Sequence, residues 1–162
     1  MIHLIVGNTG SGKTTYSNAL KQKINGIVFS IDYWNKTLFL KDKNIEDGLD
    51  WFLERIDRAE DVILNLVHQL ENTKTDSILD LGLSKVEHRE KFRKFATQNG
   101  YDLKIHFLDI SKEKRLERVL HRNKNKGATY QFEVTQENFD FMETWFEKPN
   151  QEEMVNGITI TN

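Results

Sequence analysis

Short apolar runs alternate along the chain with longer segments in which apolar residues recur every three or four positions. The first run is rich in β-branched residues and too short to favour a helix, so it is predicted to be a buried strand. Similar runs predict further strands, and the set covers residues 2–6, 26–32, 76–82, 101–110 and 157–160. Residues 49–70 carry an apolar stripe of helical period, which predicts a long amphipathic helix packed on the core.

Residues with capping chemistry begin the other predicted helices. The sequence "SKVE" from Ser84 fits a capping box, which predicts a helix as far as about residue 98, before an Asn-Gly pair. Ser111 precedes a basic helix over about 112–123, and Thr135 precedes the last helix. Alternation of strands with helices predicts an α/β fold of three layers, a mostly parallel five-stranded sheet with helices on both faces.

A glycine-rich segment follows the first predicted strand directly. "GNTGSGKT" fits the phosphate-binding pattern G-x-x-x-x-G-K-[ST], in which backbone N–H groups and a helix N-terminus face an anion. Lys13 is the candidate for the β- and γ-phosphates, and Thr14 is the candidate ligand of Mg²⁺. A glycine-rich turn that fits by accident is the alternative, but chance gives such a match in only on the order of 0.5% of chains this long. The predicted nucleotide-binding residues are Gly7, Asn8, Thr9, Gly10, Ser11, Gly12, Lys13, Thr14 and Thr15.

Acidic residues end the next two predicted strands, at the sheet edge where ligands of such folds bind. Asp32, in "SIDYW", is the candidate to accept the proton of a substrate hydroxyl or to orient that hydroxyl, and a local cap is the alternative. Asp80, in "ILDLG", is the candidate to hold Mg²⁺ through water or to contact substrate, and a turn role is the alternative.

The basic helix supplies candidate arginines. Arg118 and Arg122 are four residues apart, so they share one helix face, and Arg115 precedes them. They lead into a polar, glycine-containing segment over about 123–135, which is interpreted as a lid. Guanidinium groups delivered from a lid stabilise charge on a transferring phosphoryl group, whereas a solvated helix face is the usual alternative.

Composition narrows the class of protein. The chain has 162 residues, 38% hydrophobic and 30% charged, with a net charge of −2 and no linker or low-complexity tract, which predicts a single domain over 1–162. It has no cysteine, which excludes disulfides, thiol nucleophiles and cysteine zinc sites. No apolar run approaches the roughly 20 residues of a membrane span, and the first strand begins at residue 2, so we expect a cytoplasmic protein with no membrane partner. His3 and His106 fall within predicted strands and are interpreted as packing residues. The other three histidines, His68, His88 and His121, lack metal-ligand spacing to one another, and none of the five is assigned to catalysis.

Taken in order, "GNTGSGKT", "SIDYW", "ILDLGLSKVEHR" and "HRNKNKGATYQFEVTQENFDFMETWFEKP" resemble a known family. It comprises small bacterial P-loop kinases related to zeta toxins, chloramphenicol phosphotransferase and the kinase domain of polynucleotide kinases, usually labelled AAA-family ATP-binding proteins. The resemblance spans nearly the whole chain and implies a P-loop NTPase fold of the nucleoside-kinase type. It also implies that Lys13 and Thr14 bind ATP and Mg²⁺, that Asp32 is the base or hydroxyl-orienting acid, and that Arg118 and Arg122 act from the lid.

The sequence therefore predicts an ATP-dependent kinase that transfers the γ-phosphoryl group to a hydroxyl of a small molecule, a sugar nucleotide or a nucleic-acid end. The alternative is a nucleotide-binding switch or ATPase that acts through a protein partner. The sequence contains no N-K-x-D motif, which argues against a GTPase, and no LSGGQ-type signature, which argues against a transporter ATPase.

Overall fold

The computed structural model describes residues 1–127, 130 and 132–161. Its five strands are β1 (Ile2–Val6), β2 (Ile27–Ser30), β3 (Ser77–Asp80), β4 (Leu103–Leu108) and β5 (Ile158–Ile160). They form one sheet in the order β2-β3-β1-β4-β5, and every neighbouring pair is parallel. The predicted five-stranded α/β sheet is confirmed.

Helices connect these strands. They are α1 (Lys13–Ile24), α2 (Ile31–Trp34), α3 (Leu49–Asn72), α4 (Val86–Asn99), α5 (Lys112–Asn125) and α6 (Gln136–Trp145). A π-helical turn (Asn35–Phe39) and a 3₁₀ turn (Leu40–Asp42) follow α2. In the part of the chain that the structure describes, no helix combines the length and the apolar character needed to cross a membrane.

Side chains of β1 alternate between two cores. Leu4 and Val6 lie in one core together with residues of α3 and α4, whereas Ile5 lies in the other with Leu20 and Ile24 of α1 packed against it. Successive side chains of a strand point to opposite faces of its sheet, so helices must cover both faces to keep β1 buried. This arrangement confirms the three predicted layers.

The carboxyl ends of the strands position the site. The segment from Gly7 follows the central strand β1, and Asp80 ends its neighbour β3. On the far side of β3, Ser30 is the register partner of Asp80. Because carboxyl ends of parallel strands share one edge, the phosphate loop, Asp80 and the residues after β2 open on the same side of the sheet.

Strand β2 is shorter than predicted. It ends at Ser30 rather than at Asp32, and Asp32 lies in the short helix α2. The physical reason is the register, because Ser30 pairs with the last residue of β3 and a strand beyond it would have no ladder partner there. Ile31 is buried in the core as the first residue of that helix, which accounts for the apolar pattern.

The capping box predicted at Ser84 is also wrong. Helix α4 begins at Val86, whose N–H donates to Oε2 of Glu147 at 2.8 Å, while the Ser84 hydroxyl donates to the Gly82 carbonyl at 2.9 Å. A carboxylate from the C-terminal segment has taken the place of the local cap. The caps predicted at Ser111 and Thr135 are confirmed, since their hydroxyls accept from the N–H groups three residues on.

Candidate nucleotide-binding and active site

The phosphate loop between β1 and α1 depends on glycine at two positions. Gly10 and Gly12 have φ angles of 80° and 94°, in the left-handed region that L side chains rarely adopt. A Cβ atom on Gly10 would also lie 2.5 Å from the carbonyl oxygen of Arg115 in α5. The loop is therefore packed directly against α5, and residue 10 leaves no room for a side chain.

Lys13, the first residue of α1, lies against the start of this loop. Its Nζ donates to the carbonyl oxygen of Gly7 at 2.8 Å and to that of Asn8 at 3.5 Å. Burial lowers the pKa of Lys13, while the carboxylates of Asp80 and Asp32 act in the opposite direction. The Lys13 ammonium thus contacts the start of the loop and is influenced by the charges of both acids.

Thr14 and Asp80, the two residues predicted to hold Mg²⁺, are hydrogen-bonded to each other. The Thr14 hydroxyl donates to Oδ2 of Asp80 at 2.8 Å. Burial raises the pKa of Asp80, and the Lys13 charge and the Thr14 hydrogen bond lower it. The described residues contain no group of three or more His, Cys, Asp or Glu that could hold a metal. One hydroxyl and one carboxylate still fit Mg²⁺, which commonly takes one or two protein ligands and completes its shell with water and substrate phosphates.

Asp32 lines the same cleft as Lys13 and Asp80. Its side chain is exposed toward the cleft, yet the protein mass around it removes enough hydration to raise its pKa. The charge of Asp80 raises that pKa further, whereas Lys13 and Arg122 lower it. A carboxylate with a raised pKa accepts a proton more readily near neutral pH, which is the property a general base needs.

Arg118 and Arg122 both line this cleft. Nη1 of Arg118 donates to the Ser11 carbonyl at 3.1 Å, while the buried Nε of Arg122 has no hydrogen-bond partner among the described residues. Both arginines therefore lie at the phosphate loop side of α5 rather than on a solvated face.

The lid predicted over about 123–135 lies partly outside the described residues, which omit 128, 129 and 131. Its two ends are joined, because Nδ2 of Asn123 donates to the Val134 carbonyl at 2.8 Å and the Val134 N–H donates to Oδ1 of Asn123 at 3.2 Å. Arg122 therefore lies next to Asn123, whose side chain is held by two hydrogen bonds to the backbone of Val134.

The cleft has a volume of about 1120 Å³. Its walls combine the phosphate loop with Ala19 of α1, and with Ile110 and Ile160 at the ends of β4 and β5. Gly82 and Ser84 after β3 and Asn138, Phe141 and Met142 of α6 also line it. This volume has room for a nucleotide and a second molecule.

Sequence reasoning missed an ion pair beneath the loop. The sequence predicts Arg115 only as part of a basic helix, but Arg115 is 6% exposed, and its Nη1 and Nη2 donate to Glu143 at 2.6 and 2.8 Å. The available signal was the placement of Glu143 four residues after the core residue Phe139, on the inner side of α6. A carboxylate there requires a cationic partner from a neighbouring element.

Residues 2–149 match a protein family described as AAA domain, and the chain belongs to that family. No curated protein sequence is significantly similar to it. Its loop, its sheet order and this family together define a P-loop nucleotide-binding protein.

Solved structures with the same fold are mostly kinases. A gluconokinase from Sinorhizobium meliloti 1021 is 16% identical with a TM-score of 0.62, covering 98% of this chain and 81% of that one. The APS kinase CysC of Mycobacterium tuberculosis, in complex with AMPPNP and APS, is 17% identical with a TM-score of 0.64, covering 99% and 87%. Kti12 from Chaetomium thermophilum, in complex with ADP-AlF3, is 14% identical with a TM-score of 0.73, covering 99% and 89%. At such identities the likeness shows the α/β P-loop kinase fold alone, and the narrower resemblance to zeta toxins and chloramphenicol phosphotransferase stays a prediction.

Proposed function

We propose that this protein is an ATP-dependent kinase that transfers the γ-phosphoryl group to a hydroxyl of a small molecule, a sugar nucleotide or a nucleic-acid end. The observation that carries the proposal is one cleft that brings together the phosphate loop, the hydrogen-bonded Thr14 and Asp80, and the carboxylate of Asp32. Membership of the AAA-domain family and the nucleotide complexes among similar structures support nucleotide binding.

In this proposal the loop from Gly7 to Thr15 binds the phosphates of ATP, with Lys13 as the cation nearest the β- and γ-phosphates. Mg²⁺, when bound, would supply positive charge that neutralises the charge developing on the phosphates. Thr14 would hold the ion through its hydroxyl, and Asp80 would hold it through water. Both side chains already meet at 2.8 Å, so the pair requires little rearrangement to share one ion.

Asp32 is proposed to act on the acceptor. The acceptor oxygen forms a bond to the γ-phosphorus, the bond from that phosphorus to the β–γ bridging oxygen breaks, and the hydroxyl proton passes to the Asp32 carboxylate. ADP is the leaving group. Arg118 and Arg122 would stabilise the charge on the transferring group from the side of α5. The raised pKa of Asp32 supports its role, because it matches the carboxylate to a proton-accepting step.

The alternative function, a nucleotide-binding switch or ATPase acting through a partner, uses the same loop. It does not require room for a second molecule. The cleft volume of about 1120 Å³ supports binding of an acceptor beside the nucleotide.

The test is transfer of labelled phosphate from ATP, with Mg²⁺, to pools of nucleosides, sugars, antibiotics and 5′-hydroxyl oligonucleotides. Lys13→Ala is the blank, with the exposed Lys23→Ala as its control. Asp32→Asn is expected to lower transfer by about 10²- to 10⁴-fold while ATP binding is retained, because only the proton acceptor is removed. The exposed Asp42→Asn is the matched control. Unchanged transfer in Asp32→Asn would contradict the base assignment, and ATP hydrolysis without a labelled acceptor would favour the switch.

A further inference from the structure

The start of the phosphate loop contacts the partly buried ion pair of Arg115 in α5 with Glu143 in α6. Nδ2 of Asn8 donates to Oε1 of Glu143 at 2.6 Å, the same oxygen that accepts from Arg115. Nη1 of Arg115 also donates to the Thr9 carbonyl at 3.2 Å, and its Nε donates to the Ile110 carbonyl at 2.9 Å. One guanidinium and one carboxylate thus hold both the side chain of Asn8 and the backbone of the next residue.

Asn8, held by Glu143, in turn forms hydrogen bonds with the backbone of the loop. Its Oδ1 accepts from the N–H of Thr9 at 2.7 Å, and its carbonyl accepts from the N–H of Ser11 at 3.1 Å. Because Nδ2 is bound to Glu143, the amide plane is fixed, and Oδ1 can only point at the loop. The backbone turn from Asn8 to Ser11 is therefore determined by a contact with a helix more than 130 residues further along the chain.

We propose that Glu143 and Arg115 are positioning residues that preform the phosphate loop for a nucleotide. The inference rests on the proposed nucleotide-binding function. The carboxylate is needed to anchor Asn8, but a bare negative charge beside this loop would repel phosphates, and Arg115 compensates it with two hydrogen bonds. A loop that is already ordered loses less conformational entropy when it binds, so the anchor increases affinity without touching the ligand.

The test is the dissociation constant of a fluorescent mant-ADP probe, measured at a temperature at which every variant is folded. Glu143→Ala is expected to raise the dissociation constant about tenfold, since the hydrogen bond from Asn8 to a charged acceptor is lost. Glu143→Gln is expected to recover most of the affinity, because its Oε1 still accepts from Asn8. Asn8→Ala removes the same link from the loop side while the ion pair remains, and it is expected to weaken binding to a similar extent.

Glu147→Ala is the matched control. Its carboxylate also accepts two hydrogen bonds, from the Val86 N–H and from Nζ of Lys85. These bonds cap α4 and do not contact the phosphate loop. Thermal midpoints of all variants separate lost stability from lost affinity. Equal affinity, within twofold, of wild type, Glu143→Ala and Asn8→Ala would overturn the inference, as would an equal loss in Glu147→Ala. Failure of the wild type to bind the probe would overturn the proposed function together with the inference, whereas absence of phosphate transfer would leave the comparison of affinities intact.

Discussion

A chain of hydrogen bonds joins Tyr16 of α1 to His106 of β4 and His3 of β1. The Tyr16 hydroxyl bonds with Nδ1 of His106 at 2.8 Å, and Nε2 of His106 bonds with Nδ1 of His3 at 2.9 Å. Nε2 of His3 lies 3.6 Å from Oδ2 of Asp76. Burial lowers the pKa of His106 to about 4, and the charges of His3 and Lys104 act in the same direction. Because His106 is 3% exposed, its protonation would place a positive charge in the buried part of the sheet.

The lowered pKa of His106 predicts that the free energy of unfolding falls as the pH falls. The folded value of about 4 lies below the ordinary 6.5, so the unfolded chain binds the proton first as the pH falls. The contribution of His106 is therefore complete above pH 6.5 and is lost as the pH falls toward 4. The difference between these two pKa values corresponds to a total loss of about 3 kcal/mol in the free energy of unfolding, of which about 2 kcal/mol is lost by pH 5. Asp32 and Asp80, whose pKa values are raised, act with the opposite sign, whereas His3, whose pKa is lowered by burial, acts in the same direction as His106.

Comparison with His106→Phe removes this contribution together with the hydrogen bond to His3, because phenylalanine keeps a ring in place and does not titrate. Urea unfolding followed by fluorescence of the three tryptophans gives the free energy of unfolding at pH 7 and pH 5. The wild type is expected to lose about 2 kcal/mol more than His106→Phe between these values. The exposed His121→Gln is the control and is expected to follow the wild type. Equal losses in wild type and His106→Phe would refute the reasoning, whatever their absolute stabilities.

Two further substitutions test the packing around the cleft. Glu153→Ala leaves the guanidinium of Arg89 buried without its bidentate partner, both side chains being 0% exposed, and is expected to cost about 3–5 kcal/mol in urea unfolding. Its control, the exposed Glu152→Ala, is expected to cost less than about 1 kcal/mol, and a similar cost for both would contradict the argument. Gly10→Ala combines a φ of 80° with a Cβ contact of 2.5 Å, and we expect at least about tenfold weaker mant-ADP binding. Gly48→Ala, where an added Cβ meets nothing within 4 Å, is its control, and equal affinities would show that the loop tolerates a side chain.

The elements that the sequence predicted correctly are those set by local pattern. Helix α3 follows from one apolar stripe, and the caps at Ser111 and Thr135 follow from a hydroxyl placed just before a helical segment. The end of β2 could not be predicted in this way, because it depends on where the neighbouring strand β3 stops. The position of Glu143 on the inner side of α6 indicates only that it needs a partner, and neither local segment shows that Asn8 is one.

The wall of the cleft after β3 shows the same dependence on distant residues. The Glu147 N–H donates to the Ser84 carbonyl at 2.9 Å, and Nη1 of Arg89 donates to the carbonyls of Leu83 and Glu147 at 3.1 and 3.0 Å. Two segments that stood out separately in the sequence, "SKVEHR" and "WFEKP", are therefore the two sides of one contact. Because Arg89 also donates to Glu153, hydrogen bonds connect this wall to the C-terminal segment. A molecule bound beside Ser84 would contact a wall held in place by these bonds, which favours selection by shape over selection by rearrangement.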